Sequence, residues 1–391
     1  MTSVRPRVLL VMEATIGGTK RHLLELAGGL RGAGWDVEVA SPRVRGAAFG
    51  DVSFWDDLLA AGIPVHEVPM VRHPFSGANV RATRELARLL RRGRYDVVHA
   101  HSSIAGAVVR PAALLARAGG VRPRVVYTPH GFAFLAPGGR LRRWAFLAVE
   151  RALGRVTDRL IAVSPTEAEA ANAYGVVPAA RVVTIPNGVA FADLPTPDRR
   201  QEVRRREGWG DDLVVGTVAR MTPQKDPTTW LETASRLAAS CPTPRFVWVW
   251  GGELESDIRS RLHHLGLSER LVFTGYRPDA RELIGAFDVF LLTSRFEGLP
   301  YTVIEALASR TPVVATDVIG TRDVIRHGVT GLLAPAGDVT SLAGHVLRLL
   351  EDPALGRRLA QAGREDVVSR FSVANMVTRT AAVYSSMIAD P

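Results

Sequence analysis

Four charged side chains in the second half of the chain have types and spacings that suit the binding of a phosphorylated ligand. Arg220 and Lys225 lie five positions apart, and Glu297 and Glu305 lie eight apart. Neighbouring cations can bind phosphate, and carboxylates can orient the hydroxyl groups of a sugar or ribose. A solvated basic loop and a solvent-facing Glu305 are the alternatives. Lys225 favours the phosphate site, because only two of the 49 basic residues are lysine, Lys20 and Lys225.

Apolar runs place these side chains where predicted strands end. The run Val214–Ala219 leads into Arg220, and the run Val289–Thr293 leads into the segment that contains Glu297 and Gly298. Pro300 suits the start of a helix, which Thr302 continues. The N–H groups of the first turn of that helix could bind a phosphate.

A glycine pair follows the first apolar run of the chain. Gly17 and Gly18 come after Val8–Met12 and precede Lys20, at the start of a helical pattern. Glycines let a backbone approach a ligand closely, and a helix N-terminus favours an anion. The spacing fits neither the dinucleotide fingerprint nor the Walker A loop. An ordinary strand-to-helix turn is the alternative.

Histidines also follow predicted strands in the first half. His130 comes after the run Val125–Thr128, in a loop made flexible by Gly131, and this position favours a functional role over a structural one. His99 and His101 could suggest a metal site. No further cluster of cysteine, histidine or carboxylate is visible in the sequence to support it, so we expect no metal.

The runs alternate with amphipathic helical stretches, which is typical of βαβ units on a parallel sheet covered on both faces. Predicted strands of the first half are Val8–Met12, Val37–Ala40, Val65–Val68, Val97–His99, Val125–Thr128, Leu160–Val163 and Val182–Ile185. Those of the second half are Val214–Ala219, Phe246–Trp250, Leu271–Thr274, Val289–Thr293, Pro312–Ala315 and Gly331–Leu333. The pattern predicts two doubly wound Rossmann-like α/β domains with a ligand cleft between them.

Composition supports two domains of unequal charge. A chain of 391 residues suits two cores, and we expect domains at 1–190 and 191–365, with a last helix in 366–391. The net charge is +10, and residues 1–190 hold the excess, with 25 basic against 14 acidic side chains. A basic half can contact nucleic acid, an anionic membrane or an anionic substrate, or it can be a solvated surface.

Taken together, these segments resemble the family-four retaining glycosyltransferases with the GT-B fold, of the type that assembles bacterial surface polysaccharides. The E-x7-E element from Glu297 to Glu305 is the most specific mark, and VGTVARMTPQKDP resembles the family's Arg/Lys diphosphate element. TPHG, IPNGV and DVVHAHS also resemble family segments. The chain departs from the pattern at Ala190, where relatives often carry an acid.

The resemblance implies a role for each matching residue. Arg220 and Lys225 would bind the diphosphate of a nucleotide-sugar donor, Glu305 would hold the ribose, and Glu297 and His130 would contact the transferred sugar. Further donor contacts would come from Gly17, Gly18, Gly275, Tyr276, Gly298, Leu299, Pro300 and Thr302. Lys20 would lie on the acceptor or phosphate side. The resemblance implies no metal and no cofactor besides the donor substrate, and a last helix, Phe371–Ile388, that crosses back to the first domain.

The segment Arg140–Arg159 is basic and amphipathic and carries Trp144. It predicts either a surface helix for an anionic membrane or a helix packed on its own sheet. A membrane helix would favour a lipid-linked acceptor in the assembly of a surface polysaccharide or glycolipid, although a soluble metabolite stays open. With one cysteine, Cys241, and neither a signal peptide nor a membrane span in the sequence, we expect a cytoplasmic protein, peripheral at most to the inner membrane face.

Two other functions remain open on the sequence alone. A sugar-nucleotide epimerase of similar shape would act without an acceptor. A nucleic-acid-binding module would not need Glu297 or Lys225, and the basic half lacks the interleaved aromatic residues that such modules use. We therefore expect no nucleic-acid partner.

Overall fold

Two compact units make up the chain. A computed structural model describes residues 5–43, 52–73, 76–136, 139–191, 197–241 and 243–389. The first unit comprises Met1–Gly188 together with Val373–Pro391, and the second comprises Val189–Ser372.

The first unit is built on a parallel sheet of seven strands in the order β3-β2-β1-β4-β5-β6-β7. The strands are β1 (Arg7–Met12), β2 (Asp36–Ser41), β3 (Val65–Glu67), β4 (Val97–His101), β5 (Arg124–Thr128), β6 (Arg159–Ala162) and β7 (Val182–Thr184). Alternate residues of β1 enter two separate hydrophobic clusters: Leu9 and Val11 lie in one, Val8 and Leu10 in the other. Both faces of the sheet are therefore covered, as the continuous apolar runs predict.

Helices cover the two faces of this sheet. They are α1 (Gly17–Gly32), α2 (Phe54–Ala60), α3 (Gly77–Gly93), α4 (Ser103–Ala118), α5 (Arg140–Gly154), α6 (Pro165–Ala173) and the last helix of the chain, α15 (Val373–Ala389). Helix α15 packs against α1, and its Tyr384 is fully buried with its ring 5.3 Å from that of Trp35. Helix α15 is thus part of the core of the first unit.

The second unit repeats the arrangement with six parallel strands in the order β10-β9-β8-β11-β12-β13. They are β8 (Val214–Val218), β9 (Arg245–Val249), β10 (Leu271–Gly275), β11 (Val289–Leu292), β12 (Val313–Thr316) and β13 (Leu332–Ala334). Its helices are α7 (Pro197–Arg206), α8 (Pro227–Ser240), α9 (Glu255–Ser260), α10 (Ala280–Ala286), α11 (Tyr301–Ala308), α12 (Thr321–Val324), α13 (Val339–Glu351) and α14 (Pro353–Arg370).

Each sheet has one point where the strand order reverses, between β1 and β4 in the first unit and between β8 and β11 in the second. Ligands of doubly wound folds bind beyond the carboxyl ends of strands at this point. The predicted fold class, two Rossmann-like domains, is confirmed. Two predicted boundaries differ from the structure by two residues or more. Strand β4 extends through His101, and the helix that begins at Arg140 ends at Gly154, because Arg159 already starts β6.

Candidate functional site

The loop after β8 carries the two predicted phosphate-binding cations. Arg220 is half-buried, and the turn continues through Thr222, whose N–H donates to the carbonyl of Arg220 at 2.8 Å. The N–H of Lys225 donates to the carbonyl of Thr222 at 3.0 Å, which holds the loop in a compact turn. Asp226 then caps α8 with its side chain. The order of strands brings this loop beside the loop that follows β11.

An ion pair joins these two loops. The Nζ of Lys225 lies 2.6 Å from Oε1 of Glu297, and the hydroxyl of Ser294 donates to the same oxygen at 2.5 Å. Glu297 is only 6% exposed. Both contacts use Oε1, and Oε2 has no hydrogen bond within the described part of the chain. Since an ammonium has three donors, Lys225 can keep this pair and still bind an anion.

Gly320, in the loop after β12, lies directly against the segment that carries Glu297. Its φ is +86°, and an added Cβ would lie 2.6 Å from the carbonyl oxygen of Gly298 and 2.9 Å from Cβ of Glu297. The N–H of Glu297 donates to the carbonyl of Ile319 at 3.2 Å. Glycine at 320 therefore allows this loop to pack closely against the backbone and Cβ of the residue that carries the carboxylate, Glu297.

We expect Gly320→Ala to destabilise the second unit and to displace Glu297. The matched control is Gly337→Ala, whose φ is +81° but whose added Cβ would meet nothing within 4 Å. A non-glycine residue at positive φ costs about 1–2 kcal/mol, and overpacking adds about 1–3 kcal/mol. Urea unfolding should therefore show a larger loss for Gly320→Ala than for Gly337→Ala. Equal losses would contradict the close approach.

Helix α11 follows the loop that carries Glu297. It begins at Tyr301, with Pro300 as its N-cap residue. The side chain of Pro300 makes no capping hydrogen bond to this first turn, which includes Thr302. Gly298, Leu299 and Pro300 are buried and form the backbone that leads into this turn. This end of the helix can bind an anion with its N–H groups.

Glu305 lies inside α11 and is 6% exposed, which excludes the solvent-facing alternative. Its Oε1 accepts a hydrogen bond from Nε of Arg281, on α10, at 2.9 Å. Sequence reasoning missed Arg281 as a partner, because it precedes Glu305 by 24 residues on another helix.

The end of β10 presents an aromatic pair. Gly275 has φ +68°, and its carbonyl accepts the N–H of Trp250 at 2.8 Å. The ring of Trp250 meets that of Tyr276 edge to face, with centroids 5.0 Å apart. Trp250 was not singled out from the sequence, although its φ of 96° is unusual for a bulky residue.

Three histidines of the first unit lie close together. His22 is on α1, His101 ends β4, and His130 is in the loop after β5. Nδ1 of His101 and Nε2 of His130 are 3.3 Å apart, and the ring of His22 lies 4.5 Å from that of His130. Burial lowers the pKa of His22 to about 4 and holds the pKa values of His99, His101 and His130 well below 6.5. These imidazoles are therefore neutral at pH 7.

His130 itself has φ 53°, and its loop is fixed through the next residue. The N–H of Gly131 donates to Oε1 of the buried Glu167 at 2.6 Å. Because Glu167 also accepts from the N–H of Val163 at 2.7 Å, the His130 loop is tied to the start of α6.

The glycine pair lies at the start of α1 rather than in a loop before it. Gly17 has φ +71°, and Gly18 is exposed. Lys20 is buried, and its Nζ lies 2.8 Å from Oδ2 of Asp57 and 2.6 Å from the hydroxyl of Ser53. Its charge is thus already paired, and its predicted acceptor-side or phosphate role stays a prediction.

Comparison with known proteins bears on what these sites do. The sequence profile of Glycosyltransferase Family 4 matches residues 16–192, and that of Glycosyl transferases group 1 matches residues 199–366. A relative from Bacillus subtilis (strain 168), named "Putative glycosyltransferase EpsD", is 32% identical over 360 residues. The match covers 90% of each chain. The chain belongs to glycosyltransferase family 4. Its predicted membership of that family is confirmed, and the protein is a glycosyltransferase.

Two further comparisons agree with this assignment. An Escherichia coli UDP-Gal:alpha-D-GlcNAc-diphosphoundecaprenol alpha-1,3-galactosyltransferase is 28% identical, covering 80% of this chain and 81% of that one. The crystal structure of Anabaena HepE in complex with UDP and glucose superimposes with a TM-score of 0.82 at 23% identity, over 98% of this chain and all of that one. The fold is therefore GT-B.

The predicted donor residues thus fall into separate groups. The structure joins Lys225 to Glu297 directly, and it places Arg220 on the same loop as Lys225. Glu305 is paired with Arg281, and the groups at Gly17 and His130 belong to the first unit.

Within the described residues, no helix combines the length and hydropathy needed to cross a lipid bilayer.

Proposed function

We propose that this glycosyltransferase moves a sugar from a nucleoside-diphosphate sugar to an acceptor hydroxyl, with retention of the anomeric configuration. The observation that carries the proposal is the ion pair between the half-buried Lys225 and the buried Glu297, at the strand-order reversal of the second sheet. HepE, with the same fold, has been crystallised with UDP and with UDP-glucose. The Escherichia coli relative carries UDP-Gal in its name.

The chemistry of sugar transfer matches this pair. Breaking the bond between sugar and phosphate develops negative charge on the diphosphate and positive charge on the sugar ring. Lys225, Arg220 and the N–H groups at the start of α11 stabilise the first charge, because fixed positive groups in a partly dehydrated site act strongly on a developing anion. Oε2 of Glu297 faces no other partner among the described residues and stabilises the second charge.

The remaining donor contacts follow the family assignment. Glu305 holds the ribose hydroxyls, and the base lies near Gly275 and Tyr276. His130 contacts the transferred sugar as a neutral hydrogen-bonding group, since its pKa is held below 6.5 by burial. Gly17 and Gly18 offer N–H groups to the donor.

A donor screen tests the reaction. Nucleoside-diphosphate sugars are first tested for binding by thermal shift and then for transfer, with the anomeric configuration of the product read by NMR. We expect one group of nucleotide sugars to stabilise the protein and the product to keep the donor's configuration. An inverted product would contradict retention, and interconversion of the sugar nucleotide without an acceptor would favour an epimerase.

We further propose that the acceptor is lipid-linked and that the enzyme works at the cytoplasmic face of the membrane, in surface polysaccharide or glycolipid assembly. The name of the Escherichia coli relative specifies a diphosphoundecaprenol acceptor. A soluble metabolite as acceptor is the alternative, and the same transfer assay with both acceptor types separates the two.

Helix α5 is the proposed membrane contact. Its inner side packs through Phe146 and Leu147 on the core. Its outer side carries Leu141 at 80% and Trp144 at 68% exposure, beside the exposed side chain of Arg142. An apolar and cationic surface of this kind suits the interface of an anionic bilayer.

The double variant Leu141→Ser/Trp144→Ser should bind anionic vesicles more weakly by about tenfold or more, since two large apolar side chains no longer insert. The measurement is cosedimentation with phosphatidylglycerol vesicles at low and high salt. Leu59→Ser, which changes an exposed leucine on α2, is the matched control and should bind as the wild type does. Absence of wild-type binding at low salt would refute the membrane contact.

A further inference from the structure

We infer that His22, His101 and His130 form a binding site for a transition-metal ion of the zinc class. Each of the three rings offers one nitrogen, and these three atoms all lie within 4.8 Å of one another. All three side chains belong to the first unit: His22 to α1, His101 to the end of β4 and His130 to the loop after β5.

The spacing of the nitrogens is close to that of a metal site. Two imidazole nitrogens on a tetrahedral zinc ion, each about 2.0–2.1 Å from the metal, lie about 3.3 Å apart. Nδ1 of His101 and Nε2 of His130 are separated by 3.3 Å. His22 needs only a small side-chain movement to complete the set. Three histidines plus one water make an open four-coordinate site.

Two of the rings have nitrogens that nothing else satisfies. Nδ1 of His22 and Nε2 of His101 are buried and have no hydrogen-bond partner in the part of the chain that the structure describes. A buried polar atom left in this state costs about 1–3 kcal/mol. Rotation of the His22 ring can turn its Nδ1 toward the metal, which would remove this cost at that nitrogen.

His99 shows how a structural histidine in the same place differs. Its Nδ1 lies 2.5 Å from the hydroxyl of Tyr384, and its Nε2 lies 2.8 Å from the hydroxyl of Thr128. Both nitrogens are therefore used within the core. Its ring lies 3.9 Å from that of His101 and supports it from the side.

The other surroundings favour ligation as well. His130 is half-buried on a glycine-flanked loop, so an ion can reach the cluster from its side.

Occupancy of this site would inhibit transfer, because His130 would be held by the metal instead of the sugar. This consequence rests on the proposed function, whereas metal binding does not. The metal is thus expected to be an inhibitor rather than a cofactor.

Calorimetric titration of Zn²⁺ into the tag-free full chain, after chelator treatment, tests the site directly. We expect one ion per chain, and Co²⁺ should give the visible absorption of a tetrahedral site. Two single variants, His130→Asn and His22→Ala, each remove one proposed ligand, and asparagine is chosen at 130 because it tolerates a positive φ. Each should weaken Zn²⁺ binding by more than the roughly 10–100-fold lost when a residue that only orients a ligand is changed. His264→Ala, which removes an exposed histidine beside His263, is the control and should leave binding unchanged.

The site would be overturned if Zn²⁺ binding survived in both His130→Asn and His22→Ala. It would also be overturned if His264→Ala lost binding to the same extent, or if the wild type did not bind Zn²⁺. Circular dichroism checks that each variant is folded. If Zn²⁺ binds with the expected variant pattern but the protein transfers no sugar, the metal site is still supported. The missing transfer would count against the proposed function alone.

Discussion

Lys225→Ala is expected to lower kcat/KM for the nucleotide sugar by about 100- to 1,000-fold, the range found when one preorganised donor to a developing anion is removed. The ammonium is the only positive group that the structure pairs with Glu297 by a direct contact among the described residues. Its loss removes the proposed diphosphate contact and also leaves the buried Glu297 carboxylate without its counter-charge. The affinity for the nucleoside diphosphate should fall as well.

The measurement is steady-state transfer kinetics together with calorimetric titration of the nucleoside diphosphate. Arg322→Ala is the matched control, because Arg322 is a cation of the same unit that is paired with Asp317 at the surface. It should leave both quantities unchanged. Unaltered nucleotide affinity in a folded Lys225→Ala protein would refute the phosphate assignment.

Glu297→Gln should mainly lower kcat, by about 100-fold or more, with a smaller change in the KM of the donor. The amide keeps the size of the side chain and an oxygen for Lys225 and Ser294. It loses the negative charge that we propose stabilises the positive sugar ring in the transition state. An interaction made only in the transition state changes kcat and kcat/KM together.

Glu305→Gln gives the contrasting result. This carboxylate is paired with Arg281 and is assigned to the ribose, so its change should raise the KM of the donor more than it lowers kcat. If Glu297→Gln instead raised KM and kept kcat, the carboxylate would be a binding group and its catalytic assignment would fail.

The local structure around the site could be predicted from the sequence. Arg220 and Glu297 come after apolar β-branched runs, and parallel strands deliver the loops at their carboxyl ends to one edge of a sheet. The same reasoning predicted the positions of all thirteen strands to within two residues at either end. It also predicted that Glu305 lies in a helix, and its apolar neighbours in the sequence favoured the burial that the structure confirms.

Contacts between distant segments could not be predicted. Gly320 meets Glu297 across 23 positions, and Arg281 meets Glu305 across 24. Nothing in the pattern of either segment specifies the partner. Gly320 had one usable signal, a glycine after a buried strand, but the close approach that requires it depends on how two loops pack.

The histidines show the same limit in the first unit. The sequence presents His99 and His101 as an equivalent pair, whereas the structure gives His99 two bonded nitrogens and leaves one nitrogen of His101 unsatisfied. His22 enters the cluster from α1, 79 positions before His101 in the sequence. The expectation of no metal was based on His99 and His101 and did not include His22, whose ring lies beside those of His101 and His130 in the structure.

A crystal structure of the chain with a bound nucleoside diphosphate tests the central claim most directly. The account predicts diphosphate oxygens within hydrogen-bonding distance of Nζ of Lys225 and of the Arg220 guanidinium, with N–H groups near Thr302 pointing at them. A diphosphate bound elsewhere, with Lys225 still held only by Glu297, would contradict it.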